Sequence, residues 1–297
     1  MKRFVGPLLI LLCTLIWGTA FVAQKTGSEH YGPFALTCFR NLLASVFLAG
    51  VIWTRNRIQH RTFRADGAVA LGGALAGIVL FSAMASQQIG IESTSPGVSA
   101  FITANYILIV PFLAWMFGRG RPRLAIWLGV ALALFGTYLI CCRSAAGGAG
   151  GTMGKGELWT MLCALLFAVH IMVVDRFAKR VDVLVFSMVQ FFAAGLCAAP
   201  FLLLPSEASR LTFDHLLAGW FSLFYVGILS SGIAYTLQNL GQARTSPSLA
   251  ALVMSFESVV GAVSGYLFLG DVLATAQVVG CVLVFTAIAF TSWADAR

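Results

Sequence analysis

Two residues in this chain could do chemistry in surroundings that disfavour charge, Glu257 and Arg40, since each is an ionisable group inside a long apolar run. Glu257 lies ten residues past Pro247, roughly 15 Å along a helix that rises 1.5 Å per residue, which is near the centre of a bilayer. A charge at that depth costs on the order of 3 kcal/mol, so the carboxyl must face protein or water and is a candidate to carry a proton. Gly261 and Gly265 follow at i+4 and i+8 on the same stripe. Small residues mark the face that packs toward other helices, so Glu257 points inward. Two roles are open to it: a site for a proton or a substrate ammonium, or a neutral acid hydrogen-bonded to a neighbouring helix for packing alone.

Arg40 shares a stripe with Thr37, Asn41 and Ser45, a face suited to a wet cavity. Its guanidinium stays charged and pairs bidentately with carboxylates, so it could hold a solute carboxylate or neutralise Glu257. The alternative is snorkelling to the nearby headgroups. In the first apolar run, Thr14, Trp17, Gly18, Phe21 and Gln24 make a mixed polar and aromatic stripe, and a later run offers Phe167 and His170. Aromatic rings in a cavity suit a partly apolar solute, although such spacing also serves packing. His170 could relay protons or simply make a structural hydrogen bond.

These residues need elements to hold them, and the composition says which. At 59% hydrophobic and 10% charged over 297 residues, with a mean hydropathy of +0.90, the chain has too little polar surface for a water-soluble globule. Its apolar runs predict ten membrane-spanning helices, at about 4–24, 33–53, 67–87, 96–117, 122–142, 157–176, 182–204, 216–238, 247–269 and 274–293. On that plan 14 of the 19 Lys and Arg fall on one side and 4 on the other, with Arg40 inside a span. The richer side is cytoplasmic, and both termini lie there. The net charge of +8 therefore belongs to membrane orientation and implies no nucleic acid. Seven scattered cysteines, all within spans and without CxxC spacing, read as small packing residues.

The chain also repeats itself. Gln87-Gln88-Ile89-Gly90 with Thr94-Ser95-Pro96 returns as Gln238-Asn239-Leu240-Gly241 with Thr245-Ser246-Pro247, 151 residues later. In the first two spans the offset is 150, matching Trp17 to Phe167, Thr37 to Ser187 and Arg40 to Gln190. Residues 1–142 form one five-helix repeat, 143–156 a glycine-rich linker and 157–297 the second repeat. Five is odd, so the copies are expected to be inverted about an axis in the membrane plane. Tyr106 then becomes the partner of Glu257 and, with Asn105, a midplane contact. Gln87, Gln88, Gln238 and Asn239 end the third and eighth spans, as gates or, on balance, as interface residues. Ser95 and Ser246 are N-caps ahead of Pro96 and Pro247.

Several landmarks resemble the drug/metabolite transporter superfamily, in its EamA branch. They are Leu15-Ile16-Trp17-Gly18-Thr19-Ala20-Phe21-Val22, the Gly32-Pro33 to Phe39-Arg40 entry, the two Thr-Ser-Pro starts, Pro111 with Phe117-Gly118-Arg119, and Leu267-Phe268-Leu269-Gly270-Asp271. The likeness spans the whole chain. It implies a ten-helix carrier of the bacterial inner membrane, often an exporter of amino acids or other small metabolites. Two departures stand out: Glu257 where many members keep a proline, and Gly270-Asp271 where many end in Gly-Glu.

No enzyme signature is complete. Gly154-Lys155 mimics a phosphate loop, but Ala149 and Gly156 break the pattern and no strand precedes it. There is no HExxH, no GxSxG and no Cys/His cluster, hence no expected metal or cofactor. The leading expectation is a secondary transporter that exports small amphipathic metabolites such as amino acids across the bacterial inner membrane, opening to each side in turn, with the bilayer and a small solute as partners and protons as the candidate coupling ion. An uptake carrier or exchanger is the alternative within transport, and an intramembrane enzyme or receptor subunit the alternative outside it. Single cysteines placed at His60 and Gly150 in a cysteine-free background should react with a membrane-impermeant reagent from opposite sides. Labelling from one side overturns the topology.

Overall fold

The computed structural model describes residues 4–60, 66–94, 96–118, 120–141, 154–269 and 275–295. All its regular elements are helical, as a chain must be when lipid offers its backbone no hydrogen bonds. The helices are α1 (Val5–Gly27), α2 (Pro33–Gln59), α3 (Gly67–Ser93), α4 (Pro96–Ala104), α5 (Tyr106–Met116), α6 (Leu124–Cys141), α7 (Lys155–Phe177) and α8 (Val183–Ala198). A 3₁₀ turn at Ala199–Leu203 extends α8, and short helices α9 (Pro205–Ala208), α10 (Phe213–Ala218) and α11 (Trp220–Phe224) follow. Then come a π-helical stretch (Tyr225–Tyr235), α12 (Thr236–Gln242), α13 (Pro247–Met254), α14 (Glu257–Leu269) and α15 (Thr275–Asp295).

Among the described residues, six helical segments are long and apolar enough to cross a bilayer, and the other apolar segments are shorter helices. Of the four expected spans that fall among the shorter helices, two are broken. The fourth span divides into α4 and α5 at Asn105, whose N–H bonds to Ile102 O while its carbonyl accepts from Leu108 N. The ninth divides into α13 and α14, where Phe256 N bonds to Val253 O and Val259 N to Phe256 O. Shifted by 151, these are the same bonds. Pro111 inside α5, which lacks an N–H, and the back-bonding hydroxyls of Ser255 and Ser258 add to the bends. The eighth span is interrupted differently, by eleven residues of π-helix, a form that marks inserted residues and functional positions.

Capping follows the sequence where it is described. Ser246 accepts from Leu249 N and Pro247 opens α13, while Asp66 and Asp182 cap α3 and α8. Arg55, at the end of α2, bonds Asp182 at 2.8 Å. Burial works against the Asp182 charge, but Arg55 and the N–H groups of Val185 and Leu184 outweigh it and hold the carboxyl below its ordinary range. Ser95, most of the linker, Gly270 and Asp271 lie outside the described residues.

Packing crosses from one half of the chain to the other. The helix α3 lies against α7 and α8, α2 against α8 and the π stretch, α1 against α12, α13 and α14, and α6 against α15. Glycines let backbones touch at two of these seams. A methyl group added at Gly241 would stand 2.8 Å from the Gly6 carbonyl, and one at Gly90 2.9 Å from the Gly156 carbonyl. Gly6 and Gly156 are repeat partners, as are Gly90 and Gly241, so the same glycine contact is made twice. Gly90→Val should therefore lower the apparent melting temperature of the purified protein, with a cost of about 1–3 kcal/mol from overpacking. Gly50→Val, which meets no neighbour within 4 Å, is the matched control. Equal stability of the two variants would refute the close seam.

Candidate functional site

Between the broken helices is a buried hollow. Its wall draws on α1 (Trp17, Ala20, Phe21, Gln24), α2 (Arg40), α3 (Gln87), the α4–α5 pair (Thr103, Tyr106), α7 (Phe167, Ile171), the π stretch (Ser230, Tyr235), α12 (Gln238) and the α13–α14 pair (Met254, Glu257). It leaves about 30 Å³ free, room for a water or two, whereas metabolite pockets run to roughly 300 Å³ or more.

The two helix breaks meet in this hollow. Tyr106 is the first residue of α5 and Glu257 the first of α14, and the Tyr106 hydroxyl donates to Glu257 Oε1 at 2.8 Å. Glu257 is 4% exposed, and its place at a helix start sets it in the positive end of the α14 dipole. Gly261 packs toward Gly18 and Ala100, which puts this face of α14 against α1 and α4 as the stripe required.

Arg40 is 3% exposed and does not snorkel. It donates from Nε to Ser231 Oγ (3.0 Å), from Nη2 to Ser230 Oγ (3.2 Å) and from Nη1 to Gln24 Oε1 (3.3 Å). None of the ion pairs among the described residues includes Arg40, so it does not neutralise Glu257. Trp17 stacks at a tilt on Tyr235, 4.5 Å between centroids, and donates its indole N–H to Ser230 O at 3.1 Å. Tyr225 at the other end of the π stretch shares a hydrogen bond with Thr19.

Of the residues singled out from sequence, Trp17, Phe21, Gln24, Arg40, Gln87, Tyr106, Phe167, Gln238 and Glu257 line the hollow. The others stand behind it or beside it. Thr37 and Asn41 are buried and tied to each other through Asn41 Nδ2 and Thr37 O at 2.7 Å. His170 and Gln190, both 0% exposed, pair with each other at 3.4 Å, and Asn105 forms the break in the fourth span. Gln87 and Gln238 are buried wall residues instead of interface residues, Gln87 Nε2 donating to Thr103 Oγ1 at 3.2 Å. Sequence reasoning missed Ser230, Ser231 and Tyr235. The signal was present in Ser230-Ser231-Gly232, a hydroxyl and glycine cluster inside an apolar span.

An all-helical, multi-pass membrane protein with a polar hollow among its helices belongs with the membrane transporters. The family model described as "EamA-like transporter family" matches this chain twice, over residues 4–142 and 154–293, and the chain belongs to that family. Among curated relatives, an uncharacterized transporter of Archaeoglobus fulgidus is 24% identical over 98% of this chain and 87% of its own. The uncharacterized inner membrane transporter YedA of Escherichia coli is 22% identical over 93% of this chain and 87% of its own. A solved crystal structure superposes with a TM-score of 0.78 at 18% identity, covering 98% of both chains, and shows that this fold is a known one.

Proposed function

We propose that this transporter is a secondary carrier with the hollow as its solute site, exporting small amphipathic metabolites, a class that includes amino acids, across a bacterial inner membrane by alternating access. In this reading the chain has ten spans, as two five-helix copies inverted relative to one another, with both termini cytoplasmic. The observation that carries it is the Tyr106–Glu257 hydrogen bond: two repeat partners, each opening the second half of a broken helix, meet across the hollow. Discontinuous helices that meet at mid-depth are how secondary carriers build binding sites. The remaining contacts agree, since exchanging the copies turns the Gly6–Gly241 seam into the Gly156–Gly90 seam.

The two ends of the hollow differ in a way that suits alternating access. On the side assigned to the exterior, Lys25 Nζ donates to the carbonyls of Ile91, Glu92 and Thr94, and Arg210 pairs with Glu92 at 3.2 Å. On the side assigned to the cytoplasm, a recess of about 340 Å³ opens among Arg121, Arg123, Asp175, Lys179 and Ser248. Loading from the cytoplasm requires α1, α13 and α14 to part enough to widen the hollow. Release outward requires the Lys25 and Arg210 contacts to break while the inner Arg55–Asp182 bridge holds.

Solute counterflow in proteoliposomes tests the carrier role with a panel of labelled amino acids and carboxylic acids. Accumulation driven by trapped unlabelled solute is expected; chemical turnover without accumulation would overturn the reading. Glu257 supplies the titratable proton, so Glu257→Gln should flatten the pH dependence of uptake and reduce its rate by about tenfold or more. Full transport with the native pH profile in that variant would remove the proton role.

A further inference from the structure

Of the fifteen residues around the hollow, ten are matched across the repeat and five, Ala20, Gln24, Arg40, Ser230 and Tyr235, are not; Arg40 is the charged one among them. Five pairs of repeat partners face it: Trp17 with Phe167, Phe21 with Ile171, Gln87 with Gln238, Thr103 with Met254, and Tyr106 with Glu257. Arg40 has Gln190 as its partner, and that glutamine is turned to His170, away from the hollow. The charge therefore serves something that enters from one side of the pseudo-symmetric site.

Its hydrogen bonds say what that something is. A guanidinium has five N–H donors, of which Arg40 commits three, all to neutral oxygens. One N–H remains on each of the two terminal nitrogens. Ser230 and Ser231 accept from Arg40, and neither hydroxyl has another hydrogen-bond partner among the described residues. Their two O–H groups are thus left as donors beside the two free N–H groups. The N–H and O–H groups left over from these bonds give the set an excess of donors. A buried cation with only neutral ligands also leaves a large electrostatic cost unpaid until an anion arrives. We propose that Arg40, Ser230 and Ser231 form a carboxylate subsite, and that the preferred solutes are monocarboxylates with an apolar body.

The second half of that statement follows from the rest of the wall. A guanidinium caps the two oxygens of a carboxylate, so the body of a solute seated on Arg40 projects away from the charge. The carboxyl group in the hollow wall, Glu257, is engaged by Tyr106 through Oε1 and makes no ion pair with Arg40. An aryl or alkyl chain fills the space that remains. It lies among Trp17, Phe21, Phe167 and Tyr235, whose rings supply the apolar remainder of the wall. The inference rests on the carrier reading for its biology, but not for its chemistry.

The test is a thermal-stability titration of the purified full-length protein with 3-phenylpropionate and its amide 3-phenylpropanamide. The acid should stabilise at concentrations at least about tenfold below the amide, since a site built of buried donors favours the ligand that can use them all. Arg40→Gln should erase the difference between acid and amide, and Arg40→Lys should keep part of it. Equal responses to acid and amide in the native protein, or no response to the acid, would each overturn the subsite. Counterflow separates the two claims. Transport of a solute without acid preference sinks the subsite and leaves the carrier, whereas selective acid binding without counterflow sinks the carrier and leaves the subsite.

Discussion

The hydrogen bond from Tyr106 to Glu257 sits where the architecture is weakest and most useful. A helix broken inside a membrane leaves backbone groups that lipid cannot satisfy, so breaks survive only where protein covers them. Here the two breaks cover each other. Each supplies the polar partner that the other's side chain needs, the phenol as donor and the carboxylate as acceptor. Removing either break would bury an unpartnered polar group, and the i to i+3 turns at Asn105 and Phe256 have matching forms because they answer one requirement.

Around that bond, five pairs of residues that match at sequence offsets of 150 or 151 line the hollow, while Ala20, Gln24, Arg40, Ser230 and Tyr235 line it without such a match. The Arg40 cluster, with the π stretch that brings Ser230 and Ser231 to it, belongs to one side alone. The equivalent span in the first copy, α3, is an uninterrupted α-helix.

Much of this was legible in the residues. Membrane-spanning helices follow from hydropathy, because it is a one-dimensional signal. Glu257, Tyr106 and the Trp17 stripe could be found because a polar or aromatic residue at mid-span has few places to go other than a protein interior. Thr37, Asn41, His170 and Gln190 carried the same signal yet pack behind the wall: helical periodicity gives a face about a third of the circumference wide, and a hollow touches only part of it. The breaks in the fourth and ninth spans and the π stretch were not legible, since an apolar run keeps its composition whether its hydrogen bonds skip three, four or five residues.

The glycine seams have a consequence for how such a molecule comes to exist. Since α1 rests on α12 and α7 rests on α3, the interior is shared between helices from early and late in the chain, and each of these helices depends for its burial on a partner made far along the polypeptide.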